Sequence, residues 1–247
     1  MFNLAFVRRQ LPGREVYYFD SLGSTMIEAA TLAARGCAAG TTIVAGEQTA
    51  GQGRHGRSWH SERDAGLYAS IVLDPALPLD VMPPLTLALG LATAEAIART
   101  ADLECDLRWP NDVLAGGRKL AGILVQRGTA PVAGIGINVN HAAFPPDLCD
   151  LATSLRIETG GEHSRELLLV NLLESVDSFC RMLAAAGKRA IFDLFSRRSS
   201  WACGKRVTAG DVTGVTGGLD EHGFLLVAAD DGTRQTILTG GVRAAGP

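Results

Sequence analysis

Three strand-like runs, Cys105–Trp109, Leu120–Gln126 and Val132–Val139, follow one another with no helical pattern between them. Helical patterns flank them. Pro83-Pro84 opens an alanine- and leucine-rich segment reaching about Thr100, proline being suited to a first helical turn. After Ser164, the residues Leu168, Leu172, Val176, Phe179 and Leu183 recur at helical spacing. The mixture of strands and helices indicates an α/β or α+β domain with a sheet as its centre. Further strands are read at Val16–Phe19, Thr41–Gly46 and Leu67–Leu73, a helix from Ser24 or Thr25 to about Arg35 with Gly36 to end it, and a short helix over Ala190–Ser199.

The texture changes after about Cys203. Val207, Thr213–Gly217, Phe224–Ala228 and Gln235–Leu238 are short strand candidates separated by turn residues. Asp231-Gly232 suits a type I′ hairpin and Glu221-His222-Gly223 a longer turn. So short a segment buries little core alone, and a small β-barrel packed on the main domain is expected. The division is residues 1–200 and 203–247 of the 247-residue chain.

Composition narrows the function classes. A formal net charge of −3 argues against wholesale binding to nucleic acid or an anionic membrane. The longest apolar region, Leu85 to Ala98, is too short and interrupted to span a bilayer. The N-terminal basic residues follow the apolar ones, the reverse of a secretory signal. Five scattered cysteines, never spaced CxxC, give neither a zinc framework nor a disulfide scaffold. A cytoplasmic protein is expected.

Three segments carry candidate chemistry. Gly51-Gln52-Gly53-Arg54-His55-Gly56-Arg57 combines backbone freedom with positive charge. It has no GxxxxGK[ST] pattern, and its match to GxGxxG lacks the helix that a dinucleotide site requires. A solvated loop, a nucleic-acid patch and a cradle for a small anion all fit it. Arg108-Trp109-Pro110-Asn111-Asp112, the turn Gly116-Gly117 and Lys119 fit either an ordinary hairpin or a charged cleft, with Lys119 at the sheet's edge. Gly134 and Gly136 mark either a bulge or the close approach of a ligand.

Taken in order, Gly23-Ser24-Thr25, Glu47 to Arg57, Arg108 to Asp112, Lys119 to Leu124 and Gly134 to Asn138 resemble the biotin protein ligases. The resemblance covers nearly the whole chain, including Ala152-Thr153-Ser154-Leu155 and the β-rich tail. It implies an α+β fold of the class II aminoacyl-tRNA synthetase and biotin protein ligase type, with a central mixed sheet, flanking helices and a C-terminal barrel of the Src-homology-3 type. It also implies a two-step reaction, in which ATP activates biotin to biotinyl-5′-AMP and biotin then passes to one lysine of a biotin carboxyl carrier protein, as in acetyl-CoA carboxylase.

On this resemblance Arg54 and Lys119 neutralise the carboxylate and α-phosphate, two anions that must meet. Mg²⁺ screens the polyphosphate, with Asp112 the candidate to position the metal or the adenylate. Asn111 and Asn138 are candidates for nucleotide contacts, and Arg57 for the polyphosphate. Trp109 either stacks on adenine or packs in the core. Ser24, Thr25 and Gln48 are expected around biotin, together with Gly51, Gln52 and Gly53 of the loop, Trp59 at the apolar tail, and Lys119, Gly122 and Gly134. Met26 and Gln52 depart from the family pattern, which often has asparagine and arginine there. The Ser-Thr motif arrives by residue 24, so a monofunctional ligase without a winged helix-turn-helix domain, and no DNA or membrane partner, is expected. The resemblance leaves a homodimer open. The alternatives are a lipoate or octanoyl protein ligase and a non-catalytic biotin or adenylate sensor.

Overall fold

The computed structural model describes residues 2–74 and 82–246. After α1 (Leu4–Gln10), whose Asn3 cap accepts from the Phe6 N–H, come β1 (Val16–Phe19), α2 (Thr25–Ala34) and β2 (Thr42–Ala45). A 3₁₀ turn at Arg54–Gly56 leads to β3 (Gly66–Val72) and α3 (Met82–Ala101). The middle of the chain is β4 (Asp106–Arg108), β5 (Asp112–Ala115), β6 (Arg118–Gln126) and β7 (Val132–Asn138). These seven strands form one sheet in the order β1-β2-β3-β7-β6-β5-β4. Only β1 and β2 run parallel, so the sheet is mixed, as expected.

The two faces of the sheet differ. Leu67, Ala69 and Ile71 of β3, with Ala121, Ile123, Ile135 and Ile137, join the large apolar core. That core is completed by α3 and by α5 (Arg165–Arg198), a helix broken at Gly187, where φ is +75°. The opposite face carries α2 over its β1–β3 half, with Met26, Ala29 and Ile43 in a smaller cluster. Over β6 and β7 this second face alternates into Gly122, Gly134 and Gly136, and a cleft forms there. Strand alternation therefore sends the bulky residues to the core and the glycines to the cleft.

Lys119 lies on an interior strand of the sheet, not at its edge. The β5–β6 register shifts between Val113 and Leu114, and such a bulge re-aims a side chain. The Gly116-Gly117 turn has φ of +55° and +77°, the paired positive angles of a type I′ hairpin.

A short helix α4 (Leu155–Thr159) precedes α5. The tail is β8 (Cys203–Ala209), β9 (Val212–Leu219), β10 (Leu225–Ala229), β11 (Arg234–Ile237) and β12 (Val242–Ala244), antiparallel in the order β11-β10-β9-β8-β12. The expected barrel is not closed, because the short β11 and β12 lie at opposite edges and do not pair. The Asp231-Gly232 turn also differs from expectation. Only Gly232 has positive φ, and the Ala229 N–H bonds to Thr233 O while the Gly232 N–H bonds to Ala229 O. That is a type I turn closed by a glycine bulge. Val207, Leu225 and Val227 belong to the same core as Trp109, Phe192 and Phe195, which is how so small a sheet finds enough apolar surface to bury.

Candidate active site

The cleft floor is backbone. Gly122 and Gly136 are direct partners across β6 and β7, and Gly134 pairs with Leu124. A Cβ on Gly136 would stand 2.5 Å from Trp59 Cε2, and one on Gly134 would stand 2.5 Å from Met26 Sδ. Close approach, not bulging, explains these glycines. Met26 is thus part of the cleft wall.

The amino end of α2 supplies a polar wall. Gln48 Oε1 accepts from the Thr25 N–H at 2.9 Å and from its hydroxyl at 3.0 Å, and Gln48 Nε2 donates to Ser61 Oγ. Ser70 Oγ donates to Thr25 Oγ1. Ser24 caps α2 by backbone geometry, yet its hydroxyl makes no capping bond and is buried without a partner. The Trp59 indole N–H is likewise buried and unpaired. An orphaned buried hydroxyl costs about 1–3 kcal/mol, a penalty that a hydrogen-bonding ligand removes.

The segment from Gly51 to Trp59 is a closed hairpin over this floor. The Gly53 N–H bonds to Arg57 O at 2.7 Å and the Trp59 N–H to Gly51 O at 2.9 Å. Its tip turns through left-handed His55 and Gly56. At Gly51 a Cβ would sit 2.7 Å from Trp59 O, so the two legs can close only over a glycine.

The charges are arranged in two groups. Lys119 Nζ is 2.6 Å from Asp112 Oδ1 and Arg108 Nη2 is 2.7 Å from Asp112 Oδ2. Burial alone would raise the Asp112 carboxyl, but Lys119 and Arg108 outweigh it and hold it below the ordinary carboxylate value. Lys119 also sits 5.3 Å above the Trp59 ring. Arg54 Nη1 donates to Asn111 Oδ1 at 3.0 Å and to Gly240 O in the tail at 3.3 Å. Burial pushes its guanidinium below the ordinary value, while Asp112 works in the other direction. Asn111 is fixed in turn by its Nδ2 bond to Ile123 O and by the bond from the Ile123 N–H to its own carbonyl.

Of the residues singled out from sequence, Thr25, Gln48, Gln52, Gly53 and Arg54 line the cleft, as do Trp59, Asn111, Lys119, Gly122 and Gly134. Ser24 and Gly51 are buried and Arg57 is exposed on the hairpin, and none of the three is among the residues that line the cleft. Three more have their side chains engaged outside the cleft or with each other's neighbours. Trp109 is 2% exposed, packs in the core and donates its indole N–H to Gly223 O, so it does not face the cleft. Asn138 is buried and gives its amide to Thr153 O and Lys119 O; it positions Lys119's strand and does not face the cleft. Asp112 gives one oxygen to Lys119 Nζ and the other to Arg108 Nη2, and is the shared counter-charge of both.

Sequence reasoning gave no role to Arg108, Tyr68, Ser61, Ser70 or Gly240. Arg108 stood inside a quoted motif, whereas isolated serines and a tail glycine carry no spacing that would mark them.

Residues 18–140 match the model of the Biotin/lipoate A/B protein ligase family, and residues 202–242 that of the Biotin protein ligase C terminal domain. The bifunctional ligase/repressor BirA of Bacillus subtilis is 34% identical over 93% of this chain and 74% of its own length. The biotin–[acetyl-CoA-carboxylase] ligase of Mycobacterium tuberculosis is 33% identical over 92% and 88%. The biotin protein ligase of Aquifex aeolicus, solved in complex with biotin and ATP, superposes with a TM-score of 0.84 at 30% identity, covering 94% of this chain and 99% of that one.

Proposed function

The chain belongs to the biotin protein ligase family, and we infer from that membership and from the cleft how its own residues divide the work. It is an ATP-dependent ligase that activates biotin and transfers it to a protein. The observation that supports the division most is that Arg54 and Lys119, from separate elements, line one glycine-floored cleft.

In the first step a biotin carboxylate oxygen attacks the α-phosphorus of ATP. The bond from that phosphorus to the α–β bridging oxygen breaks, and pyrophosphate leaves. Two anions have to approach within bonding distance, which preorganised cations permit and bulk water opposes. Lys119 is aimed by Asp112, and Arg54 by Asn111 and Gly240, so neither has to be recruited from solvent. Mg²⁺ belongs with the nucleotide substrate in this reading, since Asp112 is committed to its two cations.

The floor of Gly122, Gly134 and Gly136 lets a flat ligand lie on the backbone. Ser24, Thr25 and Gln48 offer it hydrogen bonds, and Trp59 and Met26 offer an apolar flank. In the second step the ε-amine of a carrier lysine, deprotonated, attacks the activated carbonyl. The carbon–oxygen bond to AMP breaks and AMP departs. The Gly51–Trp59 hairpin shields the mixed anhydride from water until then. The partner is the biotin-accepting protein of a carboxylase, the substrate class in the names of the relatives. The test is pyrophosphate exchange into ATP. Exchange dependent on biotin supports the assignment, and equal exchange with lipoate, or none with biotin, contradicts it.

A further inference from the structure

Next to the cleft, behind Tyr68, lies a group of side chains with no part in that reaction. We propose that His60, Glu62 and His141 bind one divalent transition-metal ion of the zinc class, which pins the hairpin's trailing leg to the end of β7. One ligand atom from each residue lies within 4.8 Å of the others, the one such group among the described residues. Tetrahedral zinc with bonds of about 2.0–2.2 Å asks for ligand atoms about 3.3 Å apart. Small rotations of His60 and Glu62 close that gap, since both sit at the surface end of the group, 34% and 54% exposed.

The orphaned nitrogens point to a ligand independently. His60 Nε2 and His141 Nδ1 are each buried with no hydrogen-bond partner, although buried polar atoms are nearly always paired. The tautomer of His141 is set from behind. Tyr68 donates its hydroxyl to Glu62 O at 2.8 Å, so its oxygen is left to accept from His141 Nε2, 3.4 Å away. A proton on Nε2 leaves the buried, unpaired Nδ1 with a bare lone pair, the outer-shell arrangement that orients metal-bound histidines. Phe144 stacks on the His141 ring at 5.0 Å and meets His60 edge-on at 6.3 Å, which dries one side of the site. The exposed Glu62 carboxylate gives an ion its entry from solvent.

Two imidazoles and one carboxylate suit zinc, cobalt or nickel and not magnesium or calcium, which prefer all-oxygen shells. The mechanical consequence follows from the chain. His60 adjoins Trp59, and the His141 carbonyl is held by Ser154 Oγ at 2.7 Å. A bound ion therefore ties the cleft's apolar flank to a fixed backbone point.

The test uses the full chain, stripped with a chelator and then titrated with Co²⁺ and with Zn²⁺. One equivalent of Zn²⁺ should survive gel filtration. Co²⁺ should give visible bands of a low-coordinate nitrogen–oxygen site without a thiolate charge-transfer band, and the metal should raise the melting temperature. His60→Gln and His141→Gln should each weaken binding by about 100-fold or more. If His141→Gln fails to fold, His60→Gln at the half-exposed position decides alone. No retained ion in the wild type, unchanged stoichiometry in the variants, or a thiolate band that places the ion on cysteines would overturn the proposal.

Discussion

Replacing Lys119 with methionine removes one of the two cations on the Asp112 carboxylate and leaves the other, Arg108 Nη2, at 2.7 Å. The carboxylate stays paired, and the methionine stem still covers Trp59. The loss of one charge-assisted hydrogen bond at a position 30% exposed costs about 1–2 kcal/mol. For a chain of this length that lowers Tm by about 2–8 °C. Asp112→Asn is the opposite case. It strands Lys119 and Arg108 together without their shared counter-charge, a loss of about 3–5 kcal/mol and about 6–20 °C in Tm. Activity should separate the two effects, since Lys119→Met loses far more rate than its small stability cost explains. If Lys119 meets charge developing on the reacting carboxylate and phosphate, its removal costs about 10²–10³ in rate, as for a preorganised donor. Biotin-dependent pyrophosphate exchange measures the rate, and calorimetry the stability. A Lys119→Met protein that exchanges within about tenfold of wild type, or melts as low as Asp112→Asn, would refute this division of labour.

Ser24→Ala deletes a buried hydroxyl that has no partner, so Tm should hold or rise slightly while biotin affinity, read by isothermal titration, falls about tenfold; a lower Tm with unchanged affinity would make Ser24 a structural cap. Gly136→Ala places a methyl group 2.5 Å from the Trp59 ring and should displace it. Trp59 is half exposed, so the stability cost is about 1 kcal/mol, whereas biotin binding should weaken by about tenfold or more; unaltered binding would mean that the floor does not carry the ligand. In acid, the sign follows from Asp112. Its folded carboxyl titrates below the unfolded value of about 3.9, so its stabilisation is complete above that pH and is lost as pH falls through the folded value. Melts taken from pH 5 to pH 2 should fall more steeply for wild type than for Asp112→Asn, and parallel curves would show that the ion pairs do not contribute.

Much of this architecture was legible in the sequence because local periodicity and turn chemistry agreed with the fold. α2 ends at Gly36 and the Gly116-Gly117 turn closes a hairpin, as their residue types dictate. The β5 and β12 strands were not, being four and three residues long and fixed by pairing with neighbours. α1 was hidden for a similar reason: its stability comes from docking beside α5 and β1 and not from a long periodic pattern. At the site, Arg54, Gln48 and Lys119 line one cleft, although Lys119 reaches it from an interior strand and not from the sheet's edge. Trp109 and Asn138 are instead buried on Gly223 O and Thr153 O, because local spacing does not say which side of a strand a side chain faces. Arg54's link to Gly240 joins positions 186 residues apart, a contact that no local pattern can announce.

Formation and transfer of an activated biotin in this cleft is directly measurable. Incubating the protein with ATP, Mg²⁺ and biotin together with a biotin carboxyl carrier domain, and weighing the carrier by intact-mass spectrometry, tests it in one measurement. A single biotinyl addition on one lysine is expected, absent with lipoate in place of biotin and lost in Lys119→Met. A carrier of unchanged mass beside a folded, ATP-supplied enzyme would contradict it.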